Sequence, residues 1–167
     1  MELRAAREED AEALAQLISD FTGLTTTPAQ MQRRLVRSRG IEHPIVAELD
    51  GKVVGFASLR LLYYLGEDAP YAEISELFVS ERYRRQGVGQ ALMVELEAQA
   101  RAAGASSVSV LTAADNEAAG ELYRAMGFQE FSIALQKWLT EDRPYRELSA
   151  QGRGLAHKQA QCFGQGV

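Results

Sequence analysis

The apolar positions of this chain keep a helical period at first, lose it between about residues 44 and 79, and regain it from residue 87. Over residues 8–21, Ala11, Leu14, Leu17, Ile18 and Phe21 share one face at three- and four-residue steps, the pattern of an amphipathic helix. The charged "MELRAA" before it reads as a short edge strand. A second helix is announced by "TPAQ", with Thr27 as N-cap, Pro28 in the first helical position and Gln30 completing a capping box. Met31, Leu35 and Val36 form its expected buried side.

The period then shortens. β-rich runs at about 44–49 and 52–64 flank Asp50-Gly51, a dipeptide suited to a tight hairpin turn. A further strand follows at 70–79 after a turn containing Gly66, Glu67 and Asp68, so three antiparallel neighbours are expected. From Gly87, Val88, Leu92, Leu96 and Ala100 line a helix that Gly104 closes, and "SSVSVLTA" reads as a buried strand. Strand, glycine turn, helix and strand over 71–112 make a βαβ crossover, whose two strands run parallel. In "DNEAAGELYRAMGF", Asp115 or Asn116 caps a helix with Ala119, Leu122 and Met126 facing inward and Gly127 at its end. The apolar run "FSIALQKWL" reads as a returning strand, and beyond Thr140 the periodicity fades. The pattern predicts an α+β domain over 1–139, a mixed and mostly antiparallel central sheet with flanking helices, followed by a weakly ordered tail over 140–167.

Composition narrows the chemistry. With 167 residues, 46% of them hydrophobic, the chain can bury the core of one domain. Cys162 is the single cysteine, and His43 and His157 stand far apart, so neither a disulfide framework nor a metal site is expected. A net charge of −5 argues against a nonspecific nucleic-acid partner. The charged N-terminus and the lack of a long apolar run argue against a membrane, leaving the cytoplasm as the expected compartment.

The stretch of most chemical interest is "RRQGVGQAL", residues 84–92. A P-loop would need four residues between its glycines and then Gly-Lys-Ser/Thr, which this chain lacks. The dinucleotide fingerprint would need a third small residue where Leu92 stands. What remains is a turn whose backbone N–H groups, with a helix N-terminus behind them, face a pyrophosphate. The plain alternative is a surface turn with solvated arginines.

Two motifs in order decide the resemblance. Arg84-Arg85-Gln86-Gly87-Val88-Gly89, preceded by "ELFVSERY" and followed by "NEAAGELYRAMGF", resembles the GNAT superfamily of N-acetyltransferases, with its Gln/Arg-x-x-Gly-x-Gly/Ala signature. The likeness in element order spans about 2–139, while the specific motifs lie in 71–128. It implies a GNAT-like sheet splayed at its parallel strand pair, acetyl-CoA as co-substrate and no metal. By position, it implies that Leu77, Phe78 and Val79 meet the pantetheine arm as an added strand would. Arg84, Arg85, Gln86, Gly87, Val88, Gly89 and Gln90 would hold the pyrophosphate, and Asn116 and Ala119 would lie near the coenzyme. Asn116 is equally suited to be a helix cap.

The same resemblance implies catalytic roles. An amine with a pKa near 10 is mostly protonated at neutral pH, so acetyl transfer needs a base, an oxyanion donor and an acid for the departing thiolate. Tyr123 stands at the family's usual general-acid position. Glu73 matches the base of some histone-type members, and Glu76 the acidic position of polyamine-acetylating ones, with Glu73 preferred. Along a regular strand the two would face opposite ways, and only a bulge would bring them to one side. The expected reaction is direct attack by a primary amine in a ternary complex, with a small-molecule amine favoured. The alternatives are a protein N-terminal or lysine acetyltransferase and a non-catalytic acyl-CoA sensor. Many relatives dimerise, which admits a homodimer.

Overall fold

A computed structural model of the chain describes residues 1–113, 116–132, 134, 135, 137 and 139. The chain forms two compact units, Met1–Val110 and a second beginning at Leu111.

In the first unit, β1 (Glu2–Ala5), β2 (His43–Leu49), β3 (Lys52–Leu62), β4 (Tyr71–Val79) and β5 (Val108–Val110) form one sheet in that spatial order. The first four strands are antiparallel neighbours, and β5 lies parallel to β4. The chain reaches β5 through α3 (Val88–Ala102), the crossover that a parallel pair requires. Helices α1 (Ala11–Thr22) and α2 (Pro28–Arg37) fill the link between β1 and β2.

The apolar face of α1 meets Val46 and Phe56 of the sheet and Met31 of α2. Thr27 and Gln30 form the expected capping box: the Thr27 hydroxyl accepts the Gln30 N–H at 3.2 Å, and the Gln30 side chain accepts the Thr27 N–H at 2.8 Å. Val36 departs from expectation and is exposed. At 100° per residue it lies well off the line through Met31 and Leu35, which packs against α1. Val88, Leu92, Met93, Leu96 and Ala100 form the buried face of α3, which crosses β3 and β4. Its end is locked by two bonds, Gly104 N–H to Arg101 O and Ala105 N–H to Ala100 O, each 3.0 Å, a Schellman closure.

Two strand boundaries also differ from expectation. β3 ends at Leu62, and residues 63–70 form a loop rather than a tight turn. β5 has three residues, with Ser109 exposed and its valines half-buried, where a fully buried strand was expected. Among the described residues it lies at the end of the strand order and pairs with β4 alone.

In the second unit, α4 (Glu117–Ala125) is capped by Asn116, whose side chain accepts the Ala119 N–H at 3.3 Å. Ala119, Leu122 and Met126 are half-buried, and Gly127 follows the helix in the left-handed region at φ +88°. The described residues of the run 131–139 form no strand, and Phe131, Leu135 and Leu139 are exposed. An apolar run does not make a strand without a neighbour to complete its ladder. Residues 133, 136 and 138 and the tail 140–167, including His157 and Cys162, lie outside the described residues.

Candidate active site

The site is organised by an irregularity in β4. Ser58 pairs with Glu76 and Leu59 with Ile74, so Ser75 is an extra residue in β4, a β-bulge. Arg60 pairs with Glu73. Ser58 and Arg60 are two apart in an uninterrupted stretch of β3 and share a face. Their partners Glu76 and Glu73 therefore share it too, which three residues of regular strand would forbid.

That face changes character along its length. Near α1 it carries an aromatic cluster, with Phe21 stacked on Phe78 at 4.9 Å between centroids and Phe56 edge-on to Phe21 at 5.9 Å. Next comes a polar network around the bulge. One oxygen of Glu42, Oε2, accepts the hydroxyls of both Ser58 and Ser75 at 2.6 Å. Arg60 bridges Glu42, at 3.9 Å, and Glu73, which it meets in a close ion pair. Glu73 is only 3% exposed. Beyond this network Tyr64 stacks on Tyr71, their centroids 4.9 Å apart. Its neighbour Tyr63 is largely exposed, as the alternation of a strand end leads one to expect.

The end of β4 and the glycine turn adjoin on the same chain segment. The parallel ladder with β5 stops at Ile74, while β4 continues through Glu76, Leu77 and Phe78 to Val79. Gly55 of β3 pairs with Val79, and a Cβ at Gly55 would lie 2.9 Å from the Phe78 carbonyl oxygen, so only glycine admits this approach. Arg84 lies back on the strand end: its Nε donates to the Val79 carbonyl at 3.0 Å, and its guanidinium sits 5.5 Å from the centre of the Phe78 ring.

Arg85 and Gly87 then take left-handed backbone conformations, φ +60° and +81°. The first donor of the α3 ladder is Ala91, whose N–H meets Gly87 O at 2.9 Å. The N–H groups of Val88, Gly89 and Gln90 therefore precede the ladder and lie at the positive end of the helix. The Val88 side chain is buried, whereas Gln86, Gly87 and Gln90 are exposed. An anion-binding turn has this construction.

In the second unit, Tyr123 is buried, and its ring lies 5.9 Å from that of Phe128. Burial pushes its hydroxyl pKa up to about 12. Among the described residues no group of three or more His, Cys, Asp or Glu side chains could hold a metal ion. No helix among them is long and apolar enough to cross a membrane.

The model of the acetyltransferase (GNAT) family matches residues 10–128. The chain belongs to the GNAT family. It is 33% identical over 95 residues to an uncharacterized N-acetyltransferase of Methanocaldococcus jannaschii, a match covering 56% of this chain and 42% of that protein. The chain thus spans less than half the length of that relative. N-alpha-acetyltransferase RimI of Mycobacterium tuberculosis is 34% identical over 132 residues, 78% of this chain and 77% of that one. An aminoglycoside acetyltransferase from an uncultured soil metagenomic sample, solved in complex with sisomicin, shares the fold with a TM-score of 0.71. That match is 22% identical and covers 83% of this chain and 96% of the other. The GNAT fold class inferred from the sequence, α+β with a mixed sheet and a parallel β4–β5 pair, is the one observed.

Sequence reasoning missed Glu42, Ser58, Arg60 and Ser75. Arg60 faces Glu73 only in the register that the bulge and the 63–70 loop set, and neither announces its register in the sequence. Glu42 stands outside every strand, just before β2.

Proposed function

We propose that this GNAT-family chain transfers the acetyl group of acetyl-CoA to a primary amine by direct attack in a ternary complex, with a small-molecule amine as acceptor. The observation carrying this reading is the turn at 84–90, where N–H groups that precede the α3 ladder follow a strand end that runs on past its ladder with β5. Arg85 through Gln90 would hold the pyrophosphate through their backbone, and the main chain of Leu77, Phe78 and Val79 would take the pantetheine arm. Asn116 would serve chiefly as the cap of α4, with Ala119 beside it.

The residues divide the proton traffic. A carboxylate must take a proton from the acceptor ammonium, and the ion pair of Glu73 with Arg60 favours Glu76 for that role, reversing the preference drawn from resemblance. A proton on the buried Glu73 would leave Arg60 with only its longer, 3.9 Å contact to Glu42, which is costly. Glu76 is half-buried on the same face and can pass its proton to water. Backbone N–H groups near Leu77 would stabilise the developing oxyanion. Tyr123, with its hydroxyl pKa raised, keeps its proton at neutral pH and would give it to the departing thiolate.

A coupled-thiol assay of CoA release over polyamines, aminoglycosides, amino acids and peptide N-termini tests the reading. Turnover is expected with a soluble amine. Turnover confined to peptide N-termini would shift the acceptor to protein, the chemistry named for the RimI relative. Coenzyme binding without acetylation of any amine would replace the enzyme by an acyl-CoA sensor.

A further inference from the structure

The bulge at Ser75 calls for a cause of its own. An extra residue interrupts the ladder, and a strand relaxes to regular pairing unless something holds the irregularity. Here the holder comes from outside the strand. Glu42, in the link between α2 and β2, sends one carboxylate oxygen to the hydroxyl of Ser75, the extra residue, and to that of Ser58, the residue paired with Glu76. Both bonds are 2.6 Å, the length of charge-assisted O–H···O⁻ bonds. Ser58 is buried at 4% exposure, so its hydroxyl has little water to turn to. The other oxygen of Glu42 faces Arg60, which is fixed in turn by Glu73. The carboxylate thus ties the flank of β2 to β3 and β4 at the point where β4 shifts register.

We propose that Glu42 is a positioning residue: by gathering the hydroxyls of Ser58 and Ser75 it fixes the β4 bulge, and with it the common facing of Glu73 and Glu76. Its consequence for catalysis rests on the acetyltransferase reading; its consequence for the strand does not. Without Glu42, Ser75 keeps only its long, 3.4 Å bond to the Ser58 carbonyl, and β4 gains access to the regular register. In that register Glu76 turns to the opposite face, and the N–H groups that follow it shift by one place. The coenzyme turn, built from residues 84–90, is unaffected.

Two measurements on the full chain test this. In hydrogen exchange, Glu42→Ala and Ser75→Ala should each raise the exchange rate of the amides at 74–78 about tenfold or more, while those of α3 keep their protection. In turnover with the best amine of the panel, both variants should lower kcat and also weaken acetyl-CoA binding, because the main chain of Leu77–Val79 moves with the register, and Ser75→Thr, which restores a hydroxyl, should recover most of both. Exchange at 74–78 equal to wild type in both alanine variants would overturn the proposal, as would a loosening spread evenly over the domain. Local loosening without any wild-type turnover would uphold the anchor and defeat the acetyltransferase reading, so the two fail separately. Should Glu42→Ala not fold, the serine pair carries the same comparison.

Discussion

Two regions meet at the bulge in β4 and are made in different ways. The proposed coenzyme side, from Leu77 to Gln90, uses main-chain groups: a strand end that runs past its ladder with β5, a left-handed turn at Arg85 and Gly87, and the first N–H groups of α3. The proposed acceptor side is made of side chains that meet across strands, with Glu42, Ser58, Arg60, Glu73 and Ser75 drawn from three separate stretches. A main-chain site needs glycines and a helix start at fixed spacing, and tolerates change at most other positions. A side-chain site depends on register and is open to variation residue by residue. The contrast explains how a family can keep one donor while its members differ in acceptor.

The comparison breaks most visibly at Gly89. Gly89→Glu would bring a carboxylate to the positive end of α3, where the pyrophosphate is proposed to sit, and should weaken acetyl-CoA binding about 100-fold or more by titration calorimetry. Unchanged affinity would remove the coenzyme assignment. Tyr123→Phe should next lower kcat by a factor on the order of 100 while leaving acetyl-CoA affinity intact. Full turnover in that variant would sink the general-acid role.

The two carboxylates of the acceptor side should separate cleanly. Glu76→Gln is expected to lower kcat about 100-fold. Glu73→Gln should instead destabilise the fold by about 3 kcal/mol, because it removes the close ion pair of a largely buried Arg60 and leaves only the 3.9 Å contact with Glu42. If Glu73→Gln kept its stability and lost its rate, the two assignments would be exchanged.

The smallest effect is expected away from both regions. Arg4 holds Asp10 through two 2.8 Å bonds, and the Arg7 N–H adds a third at 2.7 Å, which together keep the Asp10 carboxyl below the usual carboxylate range. A depressed pKa contributes stability above the unfolded value, about 3.9, and loses it as pH falls through the folded value. Asp10→Asn should therefore be less stable than wild type at pH 7, and the gap should close below about pH 4. Acetyl-CoA affinity and turnover should not move. A gap that persists undiminished into acid would mean that packing, rather than charge, makes the contribution.

Legibility in the sequence follows the same division. The main-chain region could be read in advance because glycine spacing, the α3 start and the Asn116 cap are local, and local features survive without knowledge of register. The helix faces were equally readable, with Val36 misjudged by a single step around α2. The side-chain region could not be read. The facing of Glu73 with Arg60 depends on an eleven-residue strand, on a loop of no standard turn type and on one extra serine. The bulge was foreseen only as a condition for Glu73 and Glu76 to share a face. The described residues of 131–139 form no strand, and an apolar run by itself names no partner.

The Tyr64–Tyr71 stack lends the proposed acceptor face an optical handle. The chain holds a single tryptophan, Trp138, so tyrosines dominate its remaining near-ultraviolet absorption. Two rings 4.9 Å apart and inclined by 19° are close enough for their transitions to couple. A circular dichroism band from that pair would register an amine settling on this face, without a label and before any chemistry takes place.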